Sequence, residues 1–525
     1  MTEECGGAWA RPGHVYLGLD LGTSSLKALA VSSAGHVLGV ESAGYPLLQP
    51  RPGWAEQNPD DWWAAACAAL RRLTARPEIA DCEVAAVGLA GQMHGATLLD
   101  ADRRALRSAL IWADSRGIPA SSELFEHLSA TQILRITGSL PHSSSTLAKL
   151  VWVREQQPEL WARVAHILLA KDDLRLRLTG ECATDASDAS GTLLYDIQAR
   201  RWSPAILDAL GLKPNVLPPV LQATDIGGRI TASAVPPTGL RVGTPVAIGG
   251  GDAACAAFGV RLGELVTDGW EAASGDVLVS LGTAGQVFAL LENPAIDATG
   301  RVHTLCYVTP ERWHLMGAIL SAGYTLAWLT EITGEADVSR LLGAAAQAPA
   351  GADGLLCVPS LLGERGDPPD RPSRAAFVGL TAAHSRGHLA RAALEGVALA
   401  LRAQLDAFRA LGVSATRVLL TGRPAADGLW QRVLADVLAL PIAVADVPYS
   451  SALGAARLAA RAVGEDLPMT PVGTAADFTL PHEPSVAVYD RAYSAYCALA
   501  DALRPGHTLA STSLSRDTRP RGIGP

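Results

Sequence analysis

Two copies of one short pattern decide the fold of this chain. Near the start, Leu19-Asp20-Leu21-Gly22-Thr23-Ser24-Ser25 leads into the mostly apolar run 26–31. The pattern returns as Ser280-Leu281-Gly282-Thr283-Ala284-Gly285, again followed by an apolar run, 287–290. Each copy predicts a strand, a turn of small residues and a second strand, which alone would be an ordinary hairpin. Because the copies stand about half the chain apart, they predict two related halves.

Outward from these copies, short apolar runs alternate with helical patterns, which indicates an α/β chain. Buried strands are predicted at 15–19, 84–89, 246–248, 277–281, 355–358 and 418–420. Helices are predicted at 59–72, 321–330, 387–410, 428–438 and 452–462. We expect a flexible tail at 1–13, an N-terminal lobe at 14–262, a join at 263–275, a C-terminal lobe at 276–503 and a second flexible tail at 504–525.

The composition is that of a globular protein. The chain has 525 residues, a formal net charge of -9, 49% hydrophobic residues and 18% charged residues. This balance argues against a disordered chain, and the lack of a basic block argues against nucleic-acid binding. The longest stretch without Asp, Glu, Lys or Arg, 313–330, is broken by glycines and polar residues, so we expect no membrane span. Scattered cysteines and an acidic start without an apolar segment predict a cytoplasmic protein with reduced thiols.

The two small-residue turns have the chemistry of a phosphate site. A Gly-Thr-Ser turn between strands exposes backbone N–H groups and a hydroxyl, with no bulky side chain in the way. Two such turns facing each other across a cleft could hold the β- and γ-phosphates of one nucleotide. Asp20, just before the first turn, is placed to help hold Mg²⁺. A carboxylate that caps the turn is the alternative role for Asp20.

A second candidate is a carboxylate that follows three glycines. In Ile248-Gly249-Gly250-Gly251-Asp252 an apolar strand ends in glycines, and Asp252 opens an Ala-rich helical stretch. A carboxylate beside a substrate pocket can accept a hydroxyl proton during phosphoryl transfer. Asp after Gly is also a common helix N-cap. On this segment alone both roles stay open.

A third candidate is the loop that follows the predicted strand 84–89. Ala90-Gly91-Gln92-Met93-His94-Gly95-Ala96 places an amide, a thioether and an imidazole between glycines at a strand end. Such loops supply contacts to sugar hydroxyls in α/β proteins. A histidine satisfied within its own loop is the alternative for His94. The chain contains no HExxH, GxSxG or GxxxxGK[ST], so zinc hydrolases, α/β-hydrolases and P-loop proteins lack their signatures.

Together these segments resemble the FGGY carbohydrate kinases, most closely those that phosphorylate xylulose. The family's landmarks occur in order between about 14 and 500, at 20–24, 54–59, 62–63, 90–95, 111–116, 171–180, 187–192, 249–252 and 280–283. The resemblance implies an α/β fold of two related lobes, of the actin/hexokinase-like (ribonuclease H-like) type, with an active-site cleft between them. It also implies ATP-dependent phosphorylation of D-xylulose, or a similar ketopentose, to the 5-phosphate with ATP and Mg²⁺. A homodimer is a family expectation.

The family's roles then fall on the residues that match its motifs. Asp252 is expected to be the general base and Asp20 a second catalytic carboxylate, and both are expected to face Mg²⁺ indirectly, through water. The resemblance assigns the sugar to the N-terminal lobe, against Gln92, Met93, His94 and Asp252. It assigns the nucleotide mainly to the C-terminal lobe, with nucleotide or phosphate contacts at Gly22, Thr23, Ser24, Lys27, Gly282, Thr283, Gly422 and Arg423. Asp114 and Lys171 match the family too, and we expect supporting, structural roles for both.

Two segments on the nucleotide side depart from the family. At 421–430, Arg423 and Pro424 stand in a run that is usually rich in glycine, and proline lacks a backbone N–H. At 363–367, Gly366 and Asp367 stand where Thr-Pro is common, which adds negative charge. Two alternatives therefore stay beside the main hypothesis. One is a kinase for another ketopentose or polyol, and the other is a catalytically weak, sugar-binding regulatory homologue.

Overall fold

The structure is a computed structural model. It describes residues 13–117, 121–142, 145–262, 275–364, 373–445, 447–468 and 478–514. Most of the predicted N-terminal tail and of the predicted join lies outside these residues, as do residues 365–367 of the second departure. The domain boundaries drawn from the sequence therefore stay predictions.

Two sheets, one in each half of the chain, form the centre of the molecule. The strands are β1 (His14–Leu21), β2 (Ser25–Ser32), β3 (Val37–Gly44), β4 (Glu56–Gln57), β5 (Glu83–Gly91), β6 (Thr97–Leu99), β7 (Ala109–Leu110), β8 (His166–Leu168), β9 (Thr184–Asp185), β10 (Tyr195–Asp196), β11 (Arg201–Trp202), β12 (Val220–Leu221), β13 (Ile226–Arg229), β14 (Pro245–Ala247), β15 (Gly250–Gly251), β16 (Asp276–Leu281), β17 (Gly285–Leu291), β18 (His303–Cys306), β19 (Trp313–Ile319), β20 (Leu356–Val358), β21 (Ala376–Val378), β22 (Arg417–Thr421) and β23 (Ile442–Val444).

The helices lie on and between these sheets. They are α1 (Pro59–Thr74), α2 (Pro77–Ala80), α3 (Ser121–His127), α4 (Ala130–Thr137), α5 (Thr146–Gln156), α6 (Pro158–Trp161), α7 (Ala170–Thr179), α8 (Ala186–Ser190), α9 (Pro204–Ala209), α10 (Val235–Thr238), α11 (Asp252–Gly259), α12 (Gly323–Ile332), α13 (Val338–Ala345), α14 (Arg386–Ala410), α15 (Gly428–Leu438), α16 (Ser450–Ala462) and α17 (Glu483–Leu514). Local signals start some of them: Asn58 accepts a hydrogen bond from Asp60 N at 3.1 Å, and Pro59 opens α1. The predicted strands and helices are confirmed, with ends that differ by at most two residues.

The two main sheets repeat one topology. The first has the strand order β13-β14-β5-β1-β2-β3, with β15 beside β5, and the second has the order β18-β19-β17-β16-β22-β23. In the first sheet β1 and β2 are antiparallel, while β5 runs parallel to β1. In the second sheet β16 and β17 are antiparallel, while β22 runs parallel to β16. The prediction of two related α/β lobes is therefore confirmed.

Two helices cross from one half of the chain to the other. Helix α16 follows the strands of the second sheet in sequence but packs on the first, where a Cβ at Gly18 would lie 1.8 Å from Ala452 O. Helix α11 follows the first sheet, yet its Phe258 packs in one apolar cluster with Leu278 and Leu419 of the second. Because each helix covers the sheet of the other half, both lie between the lobes. This exchange was not predicted.

The final helix reaches further than the sequence predicts. Helix α17 continues to Leu514, so residues 504–514 are helical where a flexible tail was expected. Upstream, the helix is held by buried Tyr489, whose hydroxyl donates to Glu395 Oε1 at 2.7 Å and accepts from Arg391 Nη2 at 2.7 Å. Among the described residues, we find no helix that combines the length and the apolar character needed to cross a membrane.

Candidate active site

The carboxyl ends of three parallel strands bring the candidate catalytic residues to one edge of the first sheet. Asp20 on β1 lies in register with Ala90 on β5, and Gly250 on β15 pairs with the same alanine. Asp252 is the first residue after β15. The loop that begins at Gln92 leaves β5 at this same edge. Residues that are far apart in sequence therefore meet because their strands end side by side, where open α/β sheets commonly bind ligands.

A cavity of about 620 Å³ opens at this edge and is lined by residues of both halves. The predicted residues that line it are Thr23, Met93, His94, Asp252 and Thr283. Thr23 and Thr283 belong to the first turn (residues 22–24) and the second turn (residues 282–284), so both turns face the same space. The predicted cleft between the lobes is thus present, and it joins the sugar-side loop to both phosphate turns.

Asp252 is half-buried at the cavity wall and is not an N-cap. The N-cap of α11 is Gly251, and Asp252 Oδ1 accepts from Ala253 N at 2.8 Å. Burial, followed by the negative charge of Asp20, raises the pKa of Asp252 to about 7, although Lys27 acts in the opposite direction. A carboxyl group with a pKa near neutrality is a better proton acceptor than an ordinary aspartate. Asp252 therefore has the electrostatics of a general base.

Asp20, on β1 just before the first turn, pairs across the strands with Lys27 on β2. Lys27 Nζ is 3.4 Å from Asp20 Oδ2, and burial raises the pKa of Asp20 in spite of this lysine. Among the described residues, no group of three or more His, Cys, Asp or Glu side chains is arranged to hold a metal. Mg²⁺ typically binds through one or two carboxylates, water and substrate phosphates. Asp20 and Asp252, whose charges repel each other, fit that mode of binding.

The sugar-side loop presents Met93 and His94 to the cavity. His94 Nδ1 lies 2.7 Å from Gly191 O. Because a carbonyl oxygen can only accept, Nδ1 carries the proton, and in the neutral ring Nε2 is a hydrogen-bond acceptor. Met93 packs against the backbone before Asp252, since a Cβ at Gly251 would lie 2.9 Å from Met93 Sδ. An acceptor for a hydroxyl and a thioether surface therefore flank the carboxylate.

Gln92 lies behind the cavity wall rather than on it. It is buried, and its Nε2 donates to Gln57 Oε1 at 2.8 Å. Gln57 Nε2 in turn donates to Thr23 O at 2.6 Å. The position of Gln92 differs from the predicted sugar contact because this side chain is engaged in supporting the first turn.

Side chains hold the first turn in place. The hydroxyl of Tyr45 donates to Gly22 O, and Trp112 Nε1 donates to Thr23 Oγ1 at 2.8 Å. Within the turn, Gly22 N donates to Ser25 O at 3.2 Å. Of the four residues of this segment predicted to contact the nucleotide, Thr23 lines the cavity, whereas Gly22, Ser24 and Lys27 do not; their nucleotide contacts stay a prediction.

Backbone groups at the start of α12 hold the second turn in place. Gly323 N donates to Gly282 O at 2.9 Å, and Ala322 N donates to Thr283 O at 2.9 Å. Tyr324 N also donates to Thr283 O, at 3.2 Å. These bonds join the second turn to the start of α12.

Comparison with known proteins identifies the family of this two-lobed arrangement. Residues 15–259 match the N-terminal domain of the FGGY family of carbohydrate kinases, and residues 277–463 match the C-terminal domain of the same family. The chain belongs to the FGGY family of carbohydrate kinases. ATP and Mg²⁺ are the cosubstrate and cofactor of such kinases, as the sequence resemblance implied.

Individual FGGY relatives align over most of the chain. It is 37% identical over 448 residues to the xylulose kinase of Escherichia coli K12, which covers 85% of this chain and 89% of that protein. It is 35% identical over 445 residues to the xylulose kinase of Bacillus subtilis, which covers 85% and 87%. The crystal structure of xylulose kinase from Rhodospirillum rubrum matches with a TM-score of 0.86 at 29% identity, over 94% of this chain and 99% of that one.

Of the two departures predicted on the nucleotide side, the one at Arg423 and Pro424 lies within the described residues. Gly422 lies against the end of β16, since a Cβ there would be 1.9 Å from Leu281 O. Arg423 is exposed and opens a short 3-10 helix, Arg423–Ala426. Pro424 stands in the first turn of that helix, where a backbone N–H has no acceptor inside the helix. The chain therefore loses no internal hydrogen bond at Pro424, and a change in ATP affinity stays a prediction.

Asp114 and Lys171 lie away from the cavity wall, as expected for structural residues. Asp114 is buried and bonds to Arg116, with Arg116 Nη2 at 2.7 Å from Asp114 Oδ2. Asp114 Oδ2 also accepts from Ala55 N at 2.7 Å. Lys171 is fully buried among aspartates.

Sequence reasoning missed several residues of this FGGY site. Trp112 stands in one of the family's motifs, 111–116, but the motif does not predict its hydrogen bond to Thr23. His142 and His303 line the cavity beside His94, with ring centroids 5.4 Å apart for His94 and His142 and 5.7 Å for His142 and His303. His303 reaches this place because Ser139 Oγ lies 2.6 Å from its Nδ1. That contact joins residues 164 positions apart, so no local sequence signal could reveal it.

Proposed function

We propose that this protein phosphorylates D-xylulose to D-xylulose 5-phosphate with ATP as the donor. The observation that carries the proposal is Asp252, a half-buried carboxyl group with a pKa raised to about 7, in a cavity shared with both phosphate turns. The extensive likeness to proteins named xylulose kinase supports the choice of sugar. It does not favour another ketopentose, a polyol or a non-catalytic homologue.

In this mechanism Asp252 takes the proton of the terminal sugar hydroxyl as that oxygen attacks the γ-phosphorus, and the bond from the γ-phosphorus to its bridging oxygen breaks so that ADP leaves. Met93 packs against the sugar, and His94 Nε2 accepts a hydrogen bond from another hydroxyl, which fixes the direction of attack. When bound with ATP, Mg²⁺ supplies positive charge that offsets the phosphate charge. The residues that would face it through water are Asp20 and Asp252. Thr23 and Thr283 face the phosphates from opposite sides.

Closure of the cleft is part of the proposed mechanism. Water competes with the sugar hydroxyl for the same phosphorus, so the reacting groups must be shielded from solvent. Helices α11 and α16 meet between the lobes, where Ser451 Oγ donates to Asp252 O at 3.1 Å. Movement at this helix pair would therefore be transmitted to the catalytic carboxylate.

We place the reaction in the cytoplasm. Cys67, Cys82, Cys182, Cys255, Cys306, Cys357 and Cys497, the cysteines of the described residues, are free thiols, which suits a reducing compartment. A homodimer stays a prediction, to be checked by light scattering.

A coupled ADP-release assay over a panel of pentuloses, hexuloses and polyols tests this function. We expect ATP-dependent release with D-xylulose as the preferred sugar and xylulose 5-phosphate as the product. Preference for a different sugar would move the substrate assignment. No ADP release, together with thermal stabilisation by xylulose, would show instead a sugar-binding protein.

A further inference from the structure

The short helix α8 and the residue that follows it contact the backbone just before Asp252 and the sugar-side loop. At its start, fully buried Ser187 accepts through Oγ a hydrogen bond from Gly251 N at 3.1 Å. Gly251 immediately precedes Asp252. Just beyond the end of α8, Gly191 O bonds His94 Nδ1 at 2.7 Å. One segment of eight residues, from Thr184 to Gly191, thus contacts both the residue before the proposed base and the sugar-side histidine, His94.

Ser187 is itself fixed by a buried charge cluster, which we define as Lys171, Asp172, Arg175, Asp185 and Asp188. The hydroxyl of Ser187 donates to Asp185 Oδ2. Lys171 Nζ lies 2.7 Å from Asp172, 3.1 Å from Asp185 and 3.3 Å from Asp188. The Ser187 oxygen therefore donates to an anchored carboxylate and accepts from the backbone before Asp252, which leaves its hydroxyl little freedom to rotate.

The same cluster also contacts the residue that precedes the three glycines 249–251. Arg175 Nη1 lies 3.0 Å from Asp172 Oδ1 and 3.4 Å from Ile248 O. The three glycines before Asp252 are thus held at Ile248 by Arg175 and at Gly251 by Ser187. Glycine residues have no side chains with which to fix their own backbone. Contacts from outside the strand are therefore needed to fix the position of the backbone that leads into Asp252.

The cluster holds more acidic than basic side chains. Three carboxylates face two cations, and burial raises the pKa of Asp188 well above its ordinary value although Lys171 opposes the shift. Buried ion pairs are weak sources of stability because desolvation offsets their attraction. Their rigid geometry can instead specify one arrangement of the groups around them, and here those groups lead to Asp252.

We propose that Ser187 is a positioning residue for phosphoryl transfer, which aims the Asp252 carboxylate by holding the Gly251 N–H. The inference rests on the proposed function and adds a residue to its machinery. Replacement of Ser187 by alanine removes the acceptor and leaves a buried N–H without its partner. The peptide before Asp252 can then rotate, which misplaces the base without removing a sugar contact.

The test compares S187A with S203A, a matched loss elsewhere in the same lobe. Ser203 is also buried, and its Oγ accepts from a backbone N–H, Ile206 N at 3.4 Å, at the start of α9. Each variant is assayed for kcat, for KM and by calorimetry for xylulose affinity. For S187A we expect kcat to fall about tenfold while xylulose affinity changes less than about twofold. For S203A we expect a similar loss of melting temperature but a kcat within about twofold of the unsubstituted enzyme.

A second variant, S187C, serves if S187A does not fold. Cysteine keeps nearly the same shape but is a weak acceptor, so we expect kcat in S187C to fall by roughly threefold relative to the unsubstituted enzyme, with xylulose affinity unchanged. An unchanged kcat in a folded S187C would overturn the proposal. Equal kcat in S187A and S203A, or a loss confined to xylulose affinity, would overturn the proposal. If the unsubstituted enzyme itself fails to phosphorylate xylulose, the proposed function is wrong, which is a separate outcome.

Discussion

The first turn and the second turn occupy equivalent places in the two sheets, yet only the first is flanked by charge. In the first sheet Asp20 pairs across the strands with Lys27. In the second sheet the corresponding pair is Ser280 with Gln286. Duplication has thus kept the strand-turn-strand geometry in both lobes while the ionisable groups stand in one. We therefore predict that the first turn takes part in the chemistry, whereas the second turn only binds phosphate.

The two turns also differ in what holds them. Side chains of Tyr45, Gln57 and Trp112 bond the first turn, whereas backbone N–H groups at the start of α12 bond the second. Side-chain support can be removed by substitution, but backbone support cannot. The first turn should therefore be the more sensitive of the two to mutation of its surroundings.

The largest expected effect comes from replacing Asp20 in one lobe, with the equivalent residue of the other lobe, Ser280, replaced as the control. D20N removes a carboxylate that faces the proposed Mg²⁺–ATP, and we expect kcat to fall by about 100-fold or more. S280A changes the equivalent residue, and we expect an effect within about threefold. Steady-state assays with xylulose measure both. Similar losses in the two variants would show that the lobes share the chemistry.

A second prediction uses the pH dependence of kcat/KM to compare the cross-strand partners of those positions, Lys27 and Gln286. Because burial and Asp20 raise the pKa of Asp252 to about 7, and because a base must be deprotonated, kcat/KM for the sugar should rise with pH up to about 7 and then level off. Lys27 lowers this pKa, so K27Q should move the limb to higher pH, by roughly 0.5 unit. Q286L removes no charge and should leave the limb in place. A limb that is unmoved in K27Q would contradict the assignment.

The smallest expected effect concerns stability. Y45F removes the hydroxyl that donates to Gly22 O, which should cost about 1 kcal/mol of the free energy of unfolding. Y324F is the matched control, because Tyr324 supports the second turn through its backbone N–H, which this substitution keeps. Thermal melting distinguishes the two. If Y324F were as destabilised as Y45F, the proposed difference between side-chain support of the first turn and backbone support of the second would be wrong.

Much of this architecture could be predicted from local sequence. The strands, the two turns and the helix that opens at Asp252 follow from apolar periodicity and from glycine, and both turns do meet in one cleft. The exchange of α11 and α16 could not be predicted, because it depends on which sheet each apolar face meets. The sequence predicts a sugar contact for Gln92 because it stands beside Met93 and His94 in one motif, but of these three only Met93 and His94 line the cavity. In the structure Gln92 instead donates a hydrogen bond to Gln57, which is 35 residues away. No local sequence pattern predicts that hydrogen bond.

The most direct measurement is turnover and sugar binding in D252N, side by side. Asparagine keeps the shape of Asp252 but cannot accept the hydroxyl proton as a base. We predict that kcat falls by about 1000-fold while calorimetry still detects xylulose binding with an affinity within about threefold of the unsubstituted enzyme. A variant that retains a near-normal kcat would contradict the assignment of Asp252 as the general base.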